Sequence, residues 1–179
     1  KEVVAVNIET AQELAFSAPL FADCTGDGTI GFLAEANFMM GRESRSLFNE
    51  PTAPEEADEM TMGSSVQWFS EEKDTIVTFP DIDWGLSWNE ERAEAAKLGD
   101  WNWETGMNLD QINDFERIRD YGLMVVYSNW SFMKNHSAKK DDFSKSQMKW
   151  VAYVAGKRES RRLVGDYILK EQDLTEHVV

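Results

Sequence analysis

Cysteine, proline, basic side chains and long apolar runs are all scarce in this chain, and each shortage excludes something. The single cysteine, Cys24, has no intramolecular partner for a disulfide, and with two distant histidines it cannot complete a usual zinc site. Redox compartment and localisation therefore stay open, and no metal is expected. Four prolines and eleven glycines in 179 residues exclude a collagen-like or low-complexity chain. No stretch of eighteen apolar residues occurs, so no bilayer-spanning helix is expected. The start lacks the charged and apolar regions of a signal peptide. Because the first residue is Lys1 rather than Met, we expect a soluble processed chain or an internal piece, with any export signal outside it. Eighteen bases against 33 acids give a net charge of -15, which repels a phosphate backbone and an anionic bilayer alike. Neither nucleic acid nor a membrane surface is an expected partner.

What remains is ordinary globular composition, 42% hydrophobic and 28% charged, in a chain long enough to bury roughly 70% of its unfolded surface. The pattern along it reads as α+β rather than as a regular alternation. Val3, Val4, Val6 and Ile8, then Leu14 to Phe16, then Pro19 to Cys24 form short apolar runs with polar breaks, a small N-terminal meander of three strands. Ile30, Phe32, Leu33, Ala36 and Phe38 fit a helix that Gly31 weakens. Residues 49–59 hold two prolines and five acids and read as an exposed loop. Residues 66–69 and 75–79 then read as a β-hairpin turning at 71–74. Ser87 and Glu90 are spaced as a capping box for a short helix that Gly99 ends. Phe115, Ile118, Tyr121, Val125 and Met133 recur at helical spacing over residues 110–134 and predict one long core helix. Strands at 148–154 and 161–169 follow.

The most informative stretch runs from Asp23 through Cys24, Thr25, Gly26, Asp27, Gly28, Thr29 and Ile30 to Gly31. As an EF-hand loop it offers Asp23, Thr25 and Asp27 at positions one, three and five. Position twelve is Ala34, however, and the closing carboxylate is missing. As a GxGxxG fingerprint it has Gly26, Gly28 and Gly31, but the second parallel strand due about twenty residues on falls in a charged, apolar-poor region. As a strand-end turn it would bring bare backbone at Gly26 and Gly28 close to a cofactor held elsewhere, with Asp27 as a hydroxyl acceptor. A plain strand-to-helix turn capped by Asp27 accounts for the same residues.

Residues 21–28, Phe-Ala-Asp-Cys-Thr-Gly-Asp-Gly, resemble the Asp-Ala-Thr-Gly-Asp-Gly segment of the FAD-dependent oxidoreductase family, with Cys24 in place of an alanine. Residues 156–169, with Arg158, Arg161 and Arg162, resemble that family's later arginine-rich strand, and an acidic turn like Gln172-Asp173 follows. Residues 100–106 and 130–135 are similar too, so the resemblance spans most of the chain in order. It implies FAD as cofactor, bordered by Thr25, Gly26, Asp27 and Gly28. It also implies an internal fragment that lacks the N-terminal dinucleotide-binding unit and is inactive alone. On that reading residues 1–36 are part of an FAD-binding core, 37–147 a substrate-side α+β region, and 148–179 strands and a helix start returning to the core. The rest of the flavoenzyme chain is then a partner.

Substrate groups are sought in residues 134–162, where nine bases face three acids for a local charge of +6. Arg158, Arg161 and Arg162 suit an anionic small molecule, because guanidinium groups bind carboxylates bidentately; ion pairing within the chain accounts for them equally. His136 is a candidate proton donor at a helix end, or a cation placed there by the helix dipole. The pairs Asp81 with Asp83 and Glu90 with Glu91 read as solvated, and no catalytic acid or base is identified. Seven tryptophans, with Trp84, Trp88, Trp101 and Trp103 close together, either pack a core or stack on sugars. The competing class is thus a non-catalytic binding module, carbohydrate-directed through this tryptophan-rich region.

Overall fold

A computed structural model describes residues 1–176. In chain order its elements are β1 (Glu2–Val6), β2 (Glu13–Ser17), α1 (Thr29–Leu33), β3 (Phe38–Met39), α2 (Arg45–Phe48), β4 (Trp68–Glu72), β5 (Leu98–Gly99), α3 (Phe115–Asn135), β6 (Ser146–Val151), β7 (Arg162–Leu163) and α4 (Glu171–Thr175). Short helices beside small antiparallel sheets make this a mixed α+β fold. No helix among the described residues is long and apolar enough to cross a membrane. The chain divides into two compact units, Lys1–Glu56 with the segment from Arg161 onward, and Ala57–Ser160.

In the first unit β1 and β2 form an antiparallel hairpin, Glu2 opposite Ser17 and Val6 opposite Glu13. The third expected strand, 19–24, does not form. Asp23 spends its carboxylate on the N–H groups of Thr25 and Gly31, which closes a turn where a ladder would need an extended backbone. The helix expected after Gly28 is a five-residue segment, α1, because the chain passes at Glu35 through φ +59 before entering β3. β3 pairs with β7, Phe38 opposite Leu163 and Met39 opposite Arg162, so the expected strand at 161–169 shrinks to two residues. α4 docks beside α2 through Glu171, whose carboxylate accepts from the backbone and hydroxyl of Thr52 at 3.1 and 2.6 Å.

The second unit is built on α3. Glu116 in its first turn and Lys134 in its last suit the helix dipole, and its buried apolar side chains are Ile118, Val125, Val126, Trp130 and Met133. Tyr121, expected on that face, is exposed instead. The core joins Val126, Trp130 and Met133 to Val66, Trp68, Phe143 and Ala155. The Trp68 and Trp130 rings meet edge to face at 5.4 Å, and Trp103 stacks on Trp68 at 6.4 Å. Three strands in the order β5-β4-β6 cover this core, with a bulge between Phe69 and Ser70. At the end of α3, the Lys134 ammonium donates to the carbonyls of Phe143, Ser144 and Ser146 at 2.7, 3.1 and 3.0 Å. Burial pushes its pKa down from the usual lysine value.

The largest departures lie between β4 and β5. Residues 75–79 are not a strand; β4 pairs with β5 and β6 instead. The capping box at Ser87 does not form either. Glu90 turns its carboxylate to the Ser137 hydroxyl and the Ala138 N–H, at 3.1 and 2.7 Å, beyond the end of α3. A buried polar row on α3 holds this irregular loop. Asn129 accepts from the Glu94 N–H and donates to the Glu94 carbonyl, both at 3.0 Å. Ser131 accepts from the Ile82 N–H at 2.9 Å and donates to the Pro80 carbonyl at 3.1 Å. With its backbone groups satisfied by a helix, the loop needs no helix or ladder of its own.

Candidate functional site

The turn before α1 is a closed hydrogen-bonded unit. Asp23 Oδ1 accepts from the Thr25 N–H and hydroxyl at 3.0 and 2.7 Å, and Asp23 Oδ2 accepts from the Gly31 N–H at 2.8 Å. The Thr25 hydroxyl oxygen in turn accepts from the Thr29 N–H at 2.8 Å. The Gly31 N–H, followed by the Thr25 hydroxyl and N–H, holds the Asp23 carboxyl below its ordinary value. Thr25 and Asp23 thus satisfy the N–H groups of Thr29 and Gly31 in the first turn of α1.

Between these anchors Gly26 and Gly28 adopt φ +85 and +62, conformations that side chains rarely tolerate. A Cβ at Gly26 would meet nothing within 4 Å, so the backbone there faces open space. At Gly28 and Gly31 the opposite holds. Added Cβ atoms would come within 3.2 and 2.4 Å of the Leu163 side chain, which fills the inner side of the turn. One face is thus packed and the other is bare backbone, the surface a planar or anionic group can approach closely. The Thr25 side chain is engaged within the turn, which leaves backbone at 25–28 as its outward chemistry.

The three arginines expected on the substrate side have partners inside their own units. Arg161 lies 3.9 Å from the Phe32 ring centroid and donates to the Asp27 carbonyl at 3.4 Å, so it braces the turn. Arg162 donates to the Gly41 carbonyl at 2.8 Å and pairs with Glu43. Arg158 pairs with Glu104 and lies over the Trp101 ring at 5.3 Å. His136 is in a different setting, in the second unit, where its Nε2 lies 2.8 Å from Asp81 Oδ1. Asp81 was unreadable as its partner, since no local periodicity brings the loop back onto α3. Trp68, Trp103 and Trp130 are core residues, whereas Trp84 remains 69% exposed.

The turn thus has bare backbone on its outside, packing on its inside, and an arginine bracing the Asp27 carbonyl. The model of the FAD dependent oxidoreductase family matches residues 1–179, the whole chain. No curated protein matches, and no solved structure does. The match covers every residue, and the chain belongs to the FAD-dependent oxidoreductase family.

Proposed function

We propose that this chain supplies part of the FAD border and the substrate-binding side of an FAD-dependent oxidoreductase, with the principal phosphate cradle in chain outside these residues. The observation that carries the reading is the open backbone face at Gly26, held by Asp23 and Thr25 on one side and Arg161 on the other. When bound, the flavin supplies the hydride and electron chemistry. The residues of this chain position it: N–H groups at 26–28 face ribose or phosphate oxygens, and Asp27 offers a hydroxyl acceptor. Two further features support a division of labour with other chain. The described sheets are all antiparallel, whereas a dinucleotide cradle is built on parallel strands. The β1–β2 hairpin exposes Val4, Val6 and Phe16 by more than half, an apolar ribbon that a flavoenzyme core would cover. In this reading residues 57–160 form the substrate side.

The test has two arms. Calorimetric titration of the isolated 179-residue chain with FAD is expected to give a dissociation constant weaker than about 1 μM. In the FAD-loaded full-length enzyme, Gly26→Val is expected to weaken flavin retention about tenfold or more while leaving the folding transition cooperative. Submicromolar binding by the isolated chain contradicts the division of labour, and unchanged flavin retention by the variant contradicts the border.

A further inference from the structure

The loop pinned by α3 encloses a cleft of about 480 Å³, lined in part by Asp81, Asp83, Ser87, Trp88, Phe132 and His136. That volume lies within the ~300–1,000 Å³ typical of small-molecule sites. Its walls are fixed. The Trp88 indole N–H donates to the Ser128 hydroxyl at 3.0 Å, and Ser128 donates in turn to the Met124 carbonyl, so the indole is tied to the helix backbone. Gly85 sits so close to α3 that an added Cβ would fall 2.7 Å from Ser128 Cβ. The His136–Asp81 pair, 2.8 Å apart, marks the cleft's polar end, with both side chains more than half exposed.

The chemistry of this lining is specific. Two carboxylates disfavour an anionic ligand. One of them already faces an imidazole, so the cleft holds no paired set of bare carboxylates that would favour a dication. Acceptors at Asp81 and Asp83, a hydroxyl at Ser87, an imidazole and a tethered indole plane combine hydrogen-bonding groups of both kinds with an apolar wall. A ring that carries hydroxyls on its edge and C–H groups on its face matches that combination. We infer that this cleft binds a neutral polyhydroxylated ring, a pyranose sugar or its glycoside. Asp83 and Asp81 accept from ring hydroxyls, and Trp88 packs against the C–H face. The inference rests on the substrate-side reading of residues 57–160 for its role in turnover, but not for binding itself.

Binding is measured first, by tryptophan fluorescence and calorimetry of the full-length protein with methyl glucopyranoside, methyl galactopyranoside and, as a cationic control, choline. A saturable response to a glycoside near millimolar concentration is expected. It weakens about tenfold in Asp83→Ala, which removes an acceptor for a ring hydroxyl, and in His136→Ala, which releases Asp81 from the imidazole that holds it. Trp88→Ala risks the fold, so these two variants carry the test. No saturable glycoside response overturns the inference, as does a glycoside affinity that both variants leave unchanged from the unsubstituted protein, or tighter binding of choline. Anaerobic flavin reduction by the same glycosides in the FAD-loaded enzyme separates the two proposals. Glycoside binding without reduction upholds the cleft and overturns the substrate-side reading, whereas reduction that both variants leave unchanged overturns the cleft.

Discussion

Asp23 Oδ2 accepts the backbone N–H of Gly31 at 2.8 Å, across eight residues, and thereby ties the last residue before the glycine turn to the first turn of α1. The carboxylate prefers its charged form in the fold, so its pKa lies below the usual 3.8. A depressed acid contributes stability that is fully present above its unfolded pKa and is lost as pH falls through the lower folded value. The stabilisation from this turn should therefore hold at neutral pH and begin to fade below about pH 3.8. Asp23→Asn is expected to lower the thermal midpoint at pH 7 and to flatten the acid limb. Parallel melting curves at pH 7 and pH 3 for both proteins check it.

Gly31 and Leu163 form a second tested pair. A methyl group at residue 31 would fall 2.4 Å from Leu163 Cδ1, so Gly31→Ala is expected to cost about 1–3 kcal/mol by overpacking. Trimming the opposing side chain makes room. The double variant Gly31→Ala with Leu163→Ala should recover part of that loss, giving a non-additive cycle in urea unfolding.

Asn129 is fully buried and holds both backbone groups of Glu94 at 3.0 Å. Replacing it by alanine leaves a donor and an acceptor without partners, which costs about 2–4 kcal/mol. The same change should speed amide exchange across residues 80–94, since the loop has no ladder of its own. Unchanged exchange there would show that Asn129 does not pin the loop.

Arg161 braces the turn through a π face and a carbonyl, and the two contacts need a planar guanidinium. Arg161→Lys is expected to cost about 0.5–2 kcal/mol and to loosen flavin retention in the full-length enzyme, nearly as much as Arg161→Ala. Full retention of stability and flavin by the lysine variant would show that charge alone suffices.

Where side-chain periodicity and backbone hydrogen bonding coincide, the fold was legible in the sequence. The apolar stripe from Ile118 to Met133 became α3, Val3 to Val6 became a strand, and the strand expected at 148–154 became β6, shifted to Ser146–Val151. The glycine turn was legible as a turn because Gly26 and Gly28 sit where φ is positive. Two things were hidden. The loop between β4 and β5 is held by hydrogen bonds to Ser128, Asn129 and Ser131, residues that lie far along the chain. Its acids Asp81 and Glu90 accordingly met His136, Ser137 and Ala138, and Glu90 met no helix start. Tyr121 misled for the converse reason: helical spacing gives a face, but the width of the buried stripe is set by what packs on it.

Amide hydrogen exchange at residues 26–28 of the full-length enzyme, with and without FAD, tests the central claim most directly. The account predicts that exchange at these N–H groups slows markedly when FAD binds, while the core amides of α3 stay unchanged. Equal exchange at 26–28 in both states would contradict it.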